Sequence, residues 1–121
     1  GRAAGVGVID GTAVLLVPPE PVAACAIADL LFGPAVRVLG GRDPGLPHGT
    51  WTAPLARKLV SSLGEVGYVR AAIDGEQIRP QPTGTDLDLP ALSRTDGFIL
   101  VDPDSEGYPP GTAVTMYRDR C

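Results

Sequence analysis

Between Val22 and Leu39 the sequence carries only two charges, Asp29 and Arg37, and this run limits what the chain can build. Pro21 suits the first turn of a helix, where its missing N–H is not needed. Gly33-Pro34 should kink that helix or start a second turn of it, because proline removes a ladder bond and crowds the preceding turn. A helix apolar nearly all round has no solvated face and needs partners on several sides. The preceding segment offers two short strands at most, and about 40 residues cannot supply that cover. We expect the cover to come from further chain or from a second copy, and we expect the isolated chain to self-associate. At about 18 residues the run has membrane length, but a charge at mid-bilayer costs about 2.5–3.5 kcal/mol. The expectation is therefore no membrane span.

Upstream, Gly5–Ile9 and Thr12–Val17 are apolar runs separated by Asp10-Gly11, a strong hairpin signal. The lack of alternation in Thr12–Val17 suggests a strand covered on both faces, as in a mostly parallel sheet. Gly40 to Pro47 reads as a linker, and the pattern then turns to β. Tyr68–Ile73 alternates, Asp74-Gly75 is a second turn, and Gln77–Gln81 is a return strand. Leu55–Leu63 fits helix or strand equally, and Leu89–Arg94 fits one helical turn. Gly97–Val101 is the clearest strand, and Ala113–Tyr117 the last, reached through turn-rich Asp102–Gly111. The predicted class is α+β: residues 1–42 form a partial α/β edge of two strands and a helix, and residues 43–121 a small β-barrel-like C-terminal lobe.

Aromatic residues are only 5% of the chain, so its core must be built mainly from Val, Leu, Ile and Ala. The 16 glycines and 13 prolines are scattered, which marks many short elements and no low-complexity tract. A net charge of -4 opposes general nucleic-acid binding, which needs a basic face to displace counterions. Lys58 is the only lysine, and the arginines occur singly. Cys25 lies in the apolar run and Cys121 ends the sequence. Neither suggests a disulfide framework, and with no leader pattern at the start a cytoplasmic location is expected.

Familiar catalytic signatures are missing: no phosphate-binding Walker loop, no GxSxG, no HExxH and no Cys/His metal spacing. Gly5-Val-Gly7 is too short for a dinucleotide fingerprint. His48 reads as a loop residue, and Ser61-Ser62 has no identifiable base. Asp102, Asp104 and Glu106, like Asp86 and Asp88, could face a hard cation but read better as acidic, solvated loops. Arg70, Arg79 and Arg94 could each meet an anion and read better as surface or rim charges. The feature with a mechanical rationale is Val17-Pro18-Pro19-Glu20-Pro21. It leads from a strand into a helix N-terminus, where unpaired N–H groups and the helix dipole favour oxyanions. The plain alternative is a rigid corner.

This strand, proline loop, Pro-Val and apolar helix resemble the end of the molybdopterin-binding domain of MoeA/gephyrin-type molybdopterin molybdenumtransferases, whose loop typically reads G-L-P-G-N-P-V-S. Leu55–Gly64, Tyr68-Val-Arg70, Leu92–Val101 and Ser105-Glu-Gly-Tyr-Pro-Pro-Gly111 resemble the family's C-terminal β lobe. The resemblance implies a homodimeric enzyme that inserts molybdate into adenylylated molybdopterin with Mg²⁺. It places the cleft between the molybdopterin-binding domain of one subunit and the C-terminal lobe of the other. It also implies that Pro18 and Pro21 line that cleft, with Glu20 between them and no metal ligand or catalytic residue assignable here.

The sequence departs from that loop. Leu16 and Pro19 replace its glycines, Glu20 its asparagine and Ala23 its serine. Pro19 removes a donor worth about 1.5–3 kcal/mol to a charged partner. Glu20 would oppose an anion at ~6 Å by roughly 3 kcal/mol at an effective dielectric of 20. The family's Gly-Ser-Gly element is altered to Gly84-Thr85-Asp86-Leu87-Asp88. The expected function is thus the C-terminal part of a molybdenum cofactor biosynthesis enzyme, inactive in this form. The alternative is a non-catalytic dimerisation or interaction module.

Overall fold

The structure is a computed structural model that describes residues 5–17, 19–61, 63–64, 66–81 and 92–119. Pro18, Ser62, Gly84, Thr85, Asp86, Leu87, Asp88, Pro90 and Cys121 lie outside the described residues. The chain divides into two compact units, residues 1–47 and 48–121.

In the first unit, β1 (Gly5–Ile9) and β2 (Thr12–Leu16) form an antiparallel ribbon in which Ile9 pairs with Thr12. Asp10 and Gly11 both take positive φ, 50° and 78°, the conformation of a type I′ turn. That tight loop can join only antiparallel strands, so the expected parallel arrangement is not found. Among the described residues no third strand joins this ribbon, and Val6, Val8, Ile9 and Leu16 are exposed.

The helical run extends through α1 (Pro21–Ile27), a π-turn (Ala28–Phe32) and α2 (Gly33–Leu39). The π-turn is how the chain accommodates Pro34. The Gly33 N–H reaches back to the Ala28 carbonyl, and the widened turn relieves the crowding an inserted proline creates. Gly33 is suited to that place because a Cβ there would press on the Ala28 carbonyl oxygen. Val22, Ala26 and Ile27 are buried, whereas Leu31, Phe32, Val36, Val38 and Leu39 are exposed. By length and composition alone Pro21–Leu39 could cross a membrane, a test that core helices of soluble proteins also pass.

The second unit is a five-stranded antiparallel sheet ordered β3-β9-β7-β5-β6. Its strands are β3 (Thr50–Pro54), β5 (Gly67–Asp74), β6 (Gln77–Pro80), β7 (Gly97–Val101) and β9 (Ala113–Arg118). Leu55, just past β3, bridges to Ile78 in β6, and Ala56 N–H donates to the Ile78 carbonyl at 2.8 Å. The two edge strands therefore nearly meet and the sheet curls into a barrel. Inside lie Ala53, Leu55, Leu59, Ala71, Ile78, Ile99, Val101, Val114 and Met116. A short pair, β4 (Leu59–Val60) and β8 (Gly107–Tyr108), stands beside the sheet. Within the ambiguous Leu55–Leu63 segment, Leu59–Val60 is strand.

β7 is continuously apolar because both its faces are covered. Ile99 and Val101 point into the barrel. Phe98, 0% exposed, faces outward between Tyr68 and Tyr117, stacked at centroid distances of 4.7 and 5.3 Å. His48 meets its edge at 5.2 Å, so this histidine packs on the outer aromatic cluster. The β5–β6 loop carries positive φ at Gly75, 62°, and Asp74 pairs directly with Gln77.

Candidate functional site

At the proline corner, Glu20 is the residue before the helix. Its backbone is extended (φ −65°, ψ 130°), its side chain makes no capping hydrogen bond, and its carbonyl accepts the Ala24 N–H at 2.8 Å. Pro21 is the first helical residue. Glu20 and Pro21 are thus adjacent at the helix start, while Pro18 lies outside the described residues. Prolines 18, 19 and 21 have no N–H to give. The corner accordingly offers an oxyanion few donors and one carboxylate.

The second unit holds an open groove of about 600 Å³ along the β4–β8 arm. Leu59, Val60, Leu63, Tyr108, Pro109 and Pro110 line it, together with Lys58 and Glu106. Ser61 N–H donates to the Glu106 carbonyl at 2.8 Å, and Gly111 N–H to the Leu55 carbonyl at 2.9 Å. The Ser105 hydroxyl accepts the Gly107 N–H at 3.1 Å and donates to the Gly107 carbonyl at 3.0 Å. Gly107 has φ 126°, and a Cβ would overlap the Leu59 carbonyl oxygen. Only glycine allows the arm to close so tightly. The sequence marks this loop through Ser105–Gly111, but the groove depends on Leu59–Ser61 arriving opposite it. The groove is thus mainly apolar, with one cation, Lys58, and one carboxylate, Glu106, among its lining residues.

Asp102 Oδ1 accepts the Asp104 N–H at 2.8 Å, an ordinary turn contact. Among the described residues no cluster of His, Cys, Asp and Glu could hold a metal ion. The Mg²⁺ implied by resemblance therefore finds no fitting ligand set there.

Arg70 is the charged residue that sequence reasoning misplaced. It is 4% exposed, not a surface or rim charge. Its Nη1 and Nη2 donate to the two Asp119 carboxylate oxygens at 3.0 and 2.6 Å. Nη1 also donates to the Tyr68 hydroxyl at 3.3 Å, and Nε to Thr95 Oγ1 at 3.1 Å. Burial by itself lowers the guanidinium's pKa, but the bonds to Asp119 and Tyr68 outweigh it and hold it above the ordinary arginine value. No local pattern announces this network, because Asp119 lies 49 residues away. Arg79 does sit at the surface, paired loosely with Asp74 at 3.9 Å.

Residues 52–118 match the family model described as the MoeA C-terminal region (domain IV). A Methanocaldococcus jannaschii protein, provisionally named a molybdopterin biosynthesis protein, is 29% identical over 97% of this chain and 27% of its own length. A crystal structure of the Pyrococcus horikoshii molybdopterin biosynthesis moeA protein superposes with a TM-score of 0.79 at 24% identity, over 98% of this chain and 29% of that one. A crystal structure of a molybdopterin biosynthesis moeA protein from P. horikoshii OT3 gives 0.72 at 21%, over 83% and 26%. A Pyrococcus furiosus molybdenum cofactor biosynthesis protein gives 0.72 at 24%, over 85% and 38%. At these identities the superpositions establish a common fold. The sequence at hand spans about a quarter of the length of its curated relative.

Proposed function

This chain belongs to the MoeA family, carrying its C-terminal region (domain IV), and from that premise we propose that it is the C-terminal part of a molybdopterin molybdenumtransferase. The parent enzyme inserts molybdate into adenylylated molybdopterin and releases the adenylyl group by hydrolysis. The family match over residues 52–118 carries this reading, supported by the name of the M. jannaschii relative. The parent works in the cytoplasm as a homodimer, with the groove along β4–β8 presented to the partner's molybdopterin-binding domain. Pro18, Glu20 and Pro21 belong to the proline loop at the opposite wall of such a cleft.

Residues 1–121 alone are inactive in this reading. The substrate is a polyanion, and phosphate recognition needs fixed N–H donors or cations. This chain offers a proline corner with a carboxylate and, at the groove, Lys58. The test is isothermal titration and turnover with adenylylated molybdopterin and molybdate. The parent should bind saturably and turn over, and the 121-residue chain should do neither. A parent with no saturable binding would refute the enzyme reading. The second reading, a non-catalytic dimerisation module, would then stand. It is favoured by the exposed Val36, Val38 and Leu39 and by the donor-poor corner.

A further inference from the structure

Arg70 touches both flanks of the segment that runs from Gln81 to Leu92. Upstream, its carbonyl accepts the Gln81 N–H at 2.8 Å. Downstream, its Nε donates to Thr95 Oγ1, and that hydroxyl donates to the Leu92 carbonyl at 3.3 Å. The guanidinium is fixed in turn by the bidentate Asp119 carboxylate and by Tyr68. Asp119 N–H donates to the Asp96 carbonyl and Asp96 N–H to the Ala71 carbonyl, both at 2.9 Å. The Asp96 carboxylate accepts the Ile73 N–H at 2.8 Å. One buried cation thus ties β5, the residues before β7 and the end of β9 together.

We propose that Arg70 is a positioning residue, whose guanidinium fork, clasped by Asp119, sets where residues 92–96 stand relative to Gln81. A planar fork is needed because three directions must be met at once: Thr95 through Nε, Tyr68 through Nη1, and two carboxylate oxygens through both terminal nitrogens. A lysine ammonium keeps the charge but cannot reproduce that geometry. In sequence, the altered Gly-Ser-Gly element, Gly84–Asp88, lies between the two tied ends. Its use in turnover rests on the function proposed above, whereas the clasp does not.

The experiment uses the full-length parent and its R70K and D119N variants, with amide hydrogen exchange and steady-state kinetics on adenylylated molybdopterin. R70K should speed exchange at the Asp96 and Asp119 amides by about tenfold or more, the loss of charge-assisted bonds appearing as local opening. The Gln81 amide, held by the Arg70 backbone, and the amides across the β3–β9 ladder should exchange as in the parent. D119N should reproduce that local pattern more weakly, since the amide oxygen still accepts one bond. kcat/KM should fall in the same order. Faster exchange spread over the whole barrel would make Arg70 a general stability residue and overturn the proposal, as would unchanged exchange. So would local opening with kinetics unaltered. If the unsubstituted parent shows no turnover, the enzyme reading fails and exchange alone decides the clasp.

Discussion

The two units spend similar apolar sequence in opposite ways. Among the described residues the first buries Val22, Ala26 and Ile27 and exposes ten large hydrophobic side chains, from Val6 to Leu39. The second buries eleven hydrophobic residues and exposes Val60, Leu63 and Val66. Closure explains the contrast. Leu55 meeting Ile78 brings the sheet's edges together, so inward side chains find partners across the barrel. A two-stranded ribbon and one helix have no such return path, and a ribbon of that size is marginal in water. Apolar content decides what could be buried; topology decides what is.

The contrast can be broken or sharpened by substitution. Gly97→Val should have the largest effect, because a side chain there would overlap the Tyr117 carbonyl on the neighbouring strand. We expect no cooperative melt of the barrel by circular dichroism. Phe98→Ala should cost about 3–5 kcal/mol in urea unfolding, a large-to-small change at a fully buried ring. Ile99→Val should cost about 0.5–1.5 kcal/mol by the same measure. Val8→Ala, at an exposed position in β1, should change stability by less than about 0.5 kcal/mol. It should nonetheless weaken self-association in sedimentation, which no barrel substitution should do. A Val8→Ala cost as large as that of Phe98→Ala would mean the ribbon is covered within the chain.

Much of this was legible in sequence where local rules suffice. Asp10-Gly11 and Asp74-Gly75 mark hairpins through the left-handed conformations glycine permits, and Gly97–Val101 is too apolar and too short for anything but a covered strand. β3 was not legible, because Pro54 and the neighbouring Pro44 and Pro47 resemble loop punctuation. Pro54 is tolerated at the end of an edge strand, pairing with Ala113. β8 is two residues long and hides in a turn-rich stretch. The helix start at Pro21 was legible from sequence alone. The Arg70 clasp was not, because its partners converge only after β5, β7 and β9 align.

The most direct measurement is to express residues 1–47 and 48–121 separately and follow urea unfolding and sedimentation of each. We predict that residues 48–121 unfold cooperatively as a monomer, whereas residues 1–47 either show no transition or associate. A monomeric, cooperatively unfolding 1–47 would contradict the claim that closure, and not apolar content, separates the two units.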